Sequence, residues 1–237
     1  MVNMWTLRDI AADNHWLVVE DAAQCHGAKF RGHPPGFYSD AATFSFYPTK
    51  NLGAFGEGGA VVTRYPLVDE RVRILRNGGR TSHSIHELRG FSSYLDDLQA
   101  AALQIKLKYL RSATQKRQAC AARYQSALQG VGDITFPEMP EPGVDSTNVY
   151  HLFVIQTKRR AALIEYLDFM GIPSLIHYPS TVPMQPAFRD EYLGSNFPRA
   201  EYASRTVLSL PLWPDMTTKE QDKVIKAIKQ VFSTKGP

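Results

Sequence analysis

The 237-residue chain is 43% hydrophobic and 11% aromatic, enough to bury a real core, and at ~100–200 residues per domain it makes one large or two modest domains. Its 27 basic and 23 acidic residues leave a net charge of +4 spread along the chain, which argues against a nucleic-acid-binding stripe, and no apolar run approaches the ~20 residues of a membrane helix. Two cysteines, Cys25 and Cys120, build neither a disulfide scaffold nor a four-ligand zinc site, and Asp9 stands where a signal peptide needs apolar residues, so the reading is a cytoplasmic protein in a reducing setting, with no metal site.

Met4, Leu7, Ile10 and Ala11 follow helical spacing up to Asn14-His15, which can stop a helix before a strand Trp16-Leu17-Val18-Val19 that runs into Glu20-Asp21. A helix feeding a buried strand is the second half of a parallel βαβ unit, so the expectation is a domain incomplete at its N-terminus. A turn-rich stretch (31–36) precedes a second strand, Ala42 to Tyr47, stopped by Pro48. A glycine-punctuated loop then leads to a third strand, Ala60 to Thr63. Next comes a long, bent helical stretch to Leu128, with Leu98, Ala102, Ile105 and Tyr109 on one stripe and Leu103, Leu107 and Leu110 on another, a pattern that implies burial of a wide face.

From Ile134, Pro137, Pro140, Pro142 and Gly143 make a connector and the expected domain seam. Beyond it come a strand (Val149 to Thr157), a helix (Arg159 to Met170) closed by Gly171, a strand (Ile172 to His177) and a proline-rich loop (Pro179 to Pro186). A last helix opens with the capping box Thr217-x-x-Glu220 and carries Val224, Ile225, Ile228, Val231 and Phe232 on one face.

Chemistry concentrates at two strand ends. Asp21 follows the first strand, where open α/β sheets bind ligands, although an acid there also suits capping the segment from Ala22 to His26. Lys50 follows the second strand among aromatics, proline and glycines, a setting that strips solvation from an amine and favours Schiff-base chemistry. An acid and a lysine facing one crevice suit pyridoxal phosphate, whose aldehyde needs a lysine and whose ring nitrogen needs an anion. The Ser45 hydroxyl is a candidate phosphate donor. Gly53 to Gly59 precede a strand instead of opening a helix, which is not the dinucleotide fingerprint. Cys25 and His26 read as satisfied polar residues, since neighbours on a short helix point apart.

The words around these residues, Val19-Glu20-Asp21-Ala22-Ala23-Gln24-Cys25-His26-Gly27-Ala28, Ser45-Phe46-Tyr47-Pro48-Thr49-Lys50-Asn51-Leu52-Gly53 and Gly56-Glu57-Gly58-Gly59-Ala60-Val61, closely resemble those of the sugar-nucleotide aminotransferase family of DegT/StrS type. Matches continue through Asp97-Leu98-Gln99-Ala100-Ala101, Tyr150-His151-Leu152-Phe153-Val154, His177-Tyr178-Pro179 and Leu208-Ser209-Leu210-Pro211. The resemblance implies an α/β fold class: the C-terminal part of a fold type I PLP-dependent transferase. It divides into a partial large domain (1–111) with a mostly parallel sheet and a small C-terminal α/β domain with its connecting helix (112–237). It also implies amino transfer, with glutamate as the usual donor, to a nucleotide-linked keto-sugar.

In that scheme Lys50 holds pyridoxal 5'-phosphate as a Schiff base, Asp21 pairs with the ring nitrogen, Gln24 lies by the ring and its phenolic oxygen, and Ser45 binds phosphate. His177 and Tyr178 contact substrate. Partners are the sugar nucleotide, the amino donor, and a second copy or a complementing N-terminal chain. Three departures stand out: the family's G-x-N-x-R pattern, whose asparagine reaches the neighbouring subunit's cofactor phosphate, reads Gly90-Phe91-Ser92-Ser93-Tyr94 here, leaving Ser92 for that contact and no fixed charge at 94; a usual histidine falls at Pro183; and the family's N-terminal segment is not in this sequence. The rival expectations are a fragment without catalysis, keeping at most a binding or assembly role, and a dehydratase or regulatory relative, which Lys50 weakens because the dehydratases carry histidine there.

Overall fold

The computed structural model describes residues 2–137 and 146–233; Met1 and the seam residues Pro140, Pro142 and Gly143 lie outside them. The elements run α1 (Met4–Asp13), β1 (Val19–Asp21), β2 (Lys29–Phe30), β3 (Ala41–Ser45), β4 (Gly59–Thr63), α2 (Pro66–Arg76), α3 (Asp97–Leu107), α4 (Leu110–Leu128), β5 (Ser146–Thr147), β6 (Phe153–Gln156), α5 (Arg160–Phe169), a one-turn 3₁₀ helix (Val182–Met184), α6 (Pro198–Thr206), β7 (Val207–Leu210) and α7 (Thr218–Ser233). They fall into two units: the chain up to Gln115 with the stretch ending at His151, and the remainder from Lys116 and from Leu152 onward. Among the described residues no helix is long and apolar enough to cross a membrane.

In the first unit, α1 starts where the Asn3 side chain accepts the N–H groups of Trp5 and Thr6 at 3.2 and 3.3 Å, satisfying donors that a helix start leaves unpaired. The central sheet has the order β1-β3-β4. β1 pairs parallel with β3, Val19 opposite Ala41 and Asp21 opposite Thr43, whereas β3 pairs antiparallel with β4. The sheet is therefore mixed across its three described strands. A smaller antiparallel pair joins β2 to β5.

Two expectations of burial fail here. The strand expected at 16–19 begins only at Val19, and Trp16, Leu17 and Val19 are 63%, 81% and 65% exposed, because β1 is the last strand of the sheet among the described residues and nothing lies beyond it. The wide apolar face of the long helix is likewise uncovered: Ala102 and Leu103 are buried, but Leu98, Ile105, Leu107 and Tyr109 face solvent. The expected bend is a break at Lys108 and Tyr109, whose N–H groups turn to the carbonyls of Ile105 and Lys106 at 3.2 and 3.0 Å, the tighter i→i−3 pattern. What Leu103 does cover is a cluster with Leu52, Ala54, Phe46, Leu95 and Leu110.

The second unit is built on the antiparallel pair β6 and β7, from Phe153 opposite Leu210 to Gln156 opposite Val207. Tyr150 takes a left-handed backbone (φ +45°), which ends the expected strand from 149 before it can start. The expected strand 172–177 shrinks to one bridge, Leu175 with Ser209, since Pro173 has no N–H to give a ladder. Around this ribbon Tyr124, Leu128, Ile155, Leu163, Leu167, Leu208 and Ile228 are fully buried. α7 opens with its capping box closed both ways: Glu220 accepts the Thr217 N–H at 2.7 Å and Thr217 accepts the Glu220 N–H at 3.2 Å. Ile228→Ala, at a position with no exposed surface, is expected to destabilise the second unit by about 2–5 kcal/mol in denaturant unfolding.

Candidate active site

Parallel pairing brings two strand ends side by side. Cross-strand partners share a face and residues two apart along a strand share it too, so Asp21, Thr43 and Ser45 project from one side of the sheet. Asp21 is exposed and its Oδ1 accepts the Ala23 N–H at 3.0 Å, so it caps a turn; the segment 22–27 is a pair of turns and not a short helix. Its neighbour on the chain, Ala22, continues the ladder by donating to the Thr43 carbonyl at 2.8 Å.

After Ser45, the loop 46–58 closes on itself. Phe46 donates to the Gly58 carbonyl and the Ala54 N–H donates back to Phe46, both at 2.7 Å, and the Lys50 N–H bonds the Tyr47 carbonyl at 2.9 Å. Gly53 makes this possible, because a Cβ there would run into the carbonyls of Pro48 and Tyr47. The Lys106 ammonium bonds the Gly53 carbonyl at 2.6 Å and ties α3 to the loop. The loop holds Lys50 half-buried, and its Nζ has neither hydrogen bond nor ion pair among the described residues. The Ser45 hydroxyl accepts the Tyr47 N–H at 3.3 Å and keeps its own proton to donate.

His26 is the residue that sequence reasoning missed. Far from being satisfied, it is 3% exposed with neither ring nitrogen hydrogen-bonded, packed between Phe44 and Phe46 at 5.5 and 5.9 Å. Burial first, then the charge of Lys50, lowers its pKa below the usual 6.5; the Ser45 backbone opposes this weakly without reaching hydrogen-bond geometry. The available signal was the alternation of buried Ala22, His26, Ala28 and Phe30 through the turns, which shows period only once the turns are known. Cys25, partly buried, has its thiol pKa raised by burial and by Glu20 and Asp21.

The other expected residues are placed as follows. Gln24 is exposed in the turn after Asp21. Ser92 is exposed in the loop after α2 and sits opposite Asn77 in an antiparallel bridge. His177 and Tyr178 belong to the second unit, His177 bonding the buried Ser209 hydroxyl through Nδ1 at 2.9 Å. Asp21, Gln24, Ser45, Lys50 and Ser92 thus fall in one unit with His26, and His177 and Tyr178 in the other.

A family model for the DegT/DnrJ/EryC1/StrS aminotransferases matches residues 1–229. The chain belongs to this family. It is 46% identical over 230 residues to the dTDP-3-amino-3,4,6-trideoxy-alpha-D-glucose transaminase of Streptomyces venezuelae, a match covering 96% of this chain and 60% of the relative. The crystal structure of S. venezuelae DesV in complex with a ketimine intermediate superimposes with a TM-score of 0.93 at 43% identity, over 100% of this chain and 63% of that one. NtdA from Bacillus subtilis, solved with bound cofactor PMP, has a TM-score of 0.84 at 31% identity, over 99% of this chain and 54% of that one. The chain therefore spans about 60% of the length of the family members it matches. The fold is that of PLP-dependent sugar aminotransferases.

The buried imidazole makes a pH prediction about the first unit. A histidine whose folded pKa lies below its unfolded 6.5 stays neutral in the fold while the unfolded chain takes a proton, so stability is full above pH 6.5 and declines as pH falls from there to the folded pKa. His26→Phe is expected to flatten that part of the stability–pH profile, measured by urea unfolding between pH 5 and 8; an unchanged slope would show that the imidazole titrates normally.

Proposed function

We propose that this chain carries the lysine-bearing half-site of a PLP-dependent aminotransferase that moves an amino group, from an amino-acid donor such as glutamate, to a nucleotide-linked keto-sugar. The observation that carries the reading is the pairing of β1 with β3, which sets the Asp21 carboxylate and the Ser45 hydroxyl on one face of the sheet and leads directly into the loop holding an unpartnered Lys50 amine. The donor set suits the cofactor: an amine for an aldehyde, an anion for a ring nitrogen, and a hydroxyl for a phosphate. Pyridoxal phosphate, when bound, supplies a carbonyl for amine exchange and a ring that delocalises a carbanion.

The rest of the work falls to the chain. Lys50 Nζ is the covalent anchor and, once released by the incoming amine, the base that takes the proton from the donor's α-carbon and later returns one. With the cofactor bound, the Asp21 carboxylate would hold the proton on the ring nitrogen and the Ser45 hydroxyl would donate to phosphate, while the Gln24 amide is assigned to the phenolic oxygen on resemblance alone. Ser92 from a second copy is the proposed phosphate contact across the interface, and His177 and Tyr178 are assigned to substrate on resemblance alone. The uncovered stripe of Leu98, Ile105 and Tyr109 supports association with another copy or with a complementing chain.

The test is reduction of the purified chain with borohydride after incubation with pyridoxal phosphate, then peptide mass mapping. The label is expected on Lys50, accompanied by a visible absorption band, and Lys50→Ala is expected to lose both along with amino transfer to a nucleotide keto-sugar. Label scattered over surface lysines, with none enriched at Lys50, would overturn the reading.

A further inference from the structure

The loop from Asn77 to Tyr94 contains a polar site that none of the roles above uses. Asn77, Arg80, Thr81, Ser82 and His83 line a cavity of about 260 Å³ that has no carboxylate on its wall. Glu87 is turned onto the Thr81 hydroxyl at 2.9 Å. The Arg80 guanidinium is half-buried and oriented by three neutral oxygens: the Asn77 carbonyl at 3.3 Å from Nε, and the Asn77 Oδ1 and the Tyr94 hydroxyl at 3.2 and 3.1 Å from Nη2. Tyr94 in turn donates to Asn77 Oδ1 at 2.7 Å, with Arg76 over its ring at 5.6 Å. Arg80 forms no ion pair among the described residues, so this fixed cation has its charge uncompensated and Nη1 uncommitted.

A guanidinium held in one orientation by neutral groups, at the edge of a cavity where the Ser82 hydroxyl and the His83 imidazole can also donate while the Thr81 hydroxyl donates to Glu87, is chemistry for an anion with several oxygens. The Tyr94 hydroxyl accepts from Arg80, so a cation placed at position 94 would stand beside the same guanidinium. We propose that Arg80, pinned by Asn77 and Tyr94, binds a phosphoryl group of the nucleotide diphosphate of the substrate. The inference rests on the aminotransferase reading for the identity of the diphosphate, and the geometry of the cation stands apart from it.

The experiment measures binding of inorganic pyrophosphate and of UDP to the purified chain by calorimetry, with pyridoxal phosphate trapping on Lys50 followed in parallel. Arg80→Gln is expected to weaken both diphosphates about ten- to a hundredfold, and Tyr94→Arg in the same chain is expected to restore most of the loss. Arg80→Lys is expected to recover binding only in part, because an ammonium keeps the charge and loses the fork, and an unchanged melting temperature in this variant separates binding from folding. Diphosphate affinity unaltered in Arg80→Gln, absence of any diphosphate binding by the parent chain, or no rescue by Tyr94→Arg would each overturn the proposal. Loss of Lys50 trapping in Arg80→Gln with UDP affinity intact would also overturn it, and would assign the cation to the cofactor's phosphate. Failure of the aminotransferase reading has its own signature: no label on Lys50 in the parent chain while the pyrophosphate arm still responds to Arg80.

Discussion

The parallel ladder between β1 and β3 is the constraint from which the rest of the first unit follows. Only three residues of β1 take part, yet their register decides which side chains share a face and where the chain must turn next. A slip of one residue would carry Asp21 to the opposite face from Ser45 and put Glu20, whose Oε1 now accepts the Gly36 N–H at 2.9 Å, in its place. Glu20 and Asp21 are adjacent carboxylates with different tasks for this reason: one closes a turn beneath the sheet, the other stands at its rim. The register is further held by the Asp40 carboxylate, which accepts the Val18 N–H at 2.6 Å just before the ladder begins.

The second unit solves a different problem. It has a two-stranded sheet and relies on helices for its burial, with α5 packed on α7 and with Leu163, Leu167 and Ile228 fully buried. Its polar groups are met locally: the Tyr124 hydroxyl donates to the Pro211 carbonyl at 3.0 Å, and Asp133 accepts the Thr157 hydroxyl and the Lys158 N–H at 2.5 and 2.8 Å. Partial burial pushes the Asp133 carboxyl upward, but those two bonds together with its own backbone N–H and the charge of Lys158 outweigh it and leave the pKa below its ordinary value. Each of these bonds joins segments distant in sequence, so the unit is organised by a few polar clasps around an apolar centre.

What the sequence reveals and what it hides divides along physical lines. The helix start at Thr217 and the strands expected at 42–47 and 60–63, found at 41–45 and 59–63, were legible because caps, proline stops and β-forming runs are local signals. Burial was not, since Leu98 and Ile105 have the spacing of core residues whether or not anything packs on them. Strand length also escaped, because one left-handed residue at Tyr150 or one missing N–H at Pro173 cancels a run of favourable propensities. At the site, Asp21, Ser45 and Lys50 could be read from strand ends, whereas His26 could not: its importance comes from Phe44 and Phe46 closing on it from another strand. Arg80 was equally silent, being one arginine among many until Tyr94 is seen to touch it.

The hairpin that carries Arg80 has an unusual waist. A Cβ at Gly90 would run into the backbone of Gly79 and Gly78, one at Gly79 would run into the Leu88 carbonyl, and Gly79 takes a left-handed conformation at φ +79°. Below them the Phe91 N–H is bonded to the Leu75 carbonyl at 2.7 Å and the Gly78 N–H to Phe91 at 2.8 Å, so the two arms are laced on both sides of the crossing. Such a crossing has no side chains to slide or repack. Arg80 and Tyr94, both bonded to Asn77 Oδ1, and Ser92, bridged to Asn77, are thus anchored on one residue at the end of α2, so that a side chain introduced at Gly79 or Gly90 is expected to disturb all three together.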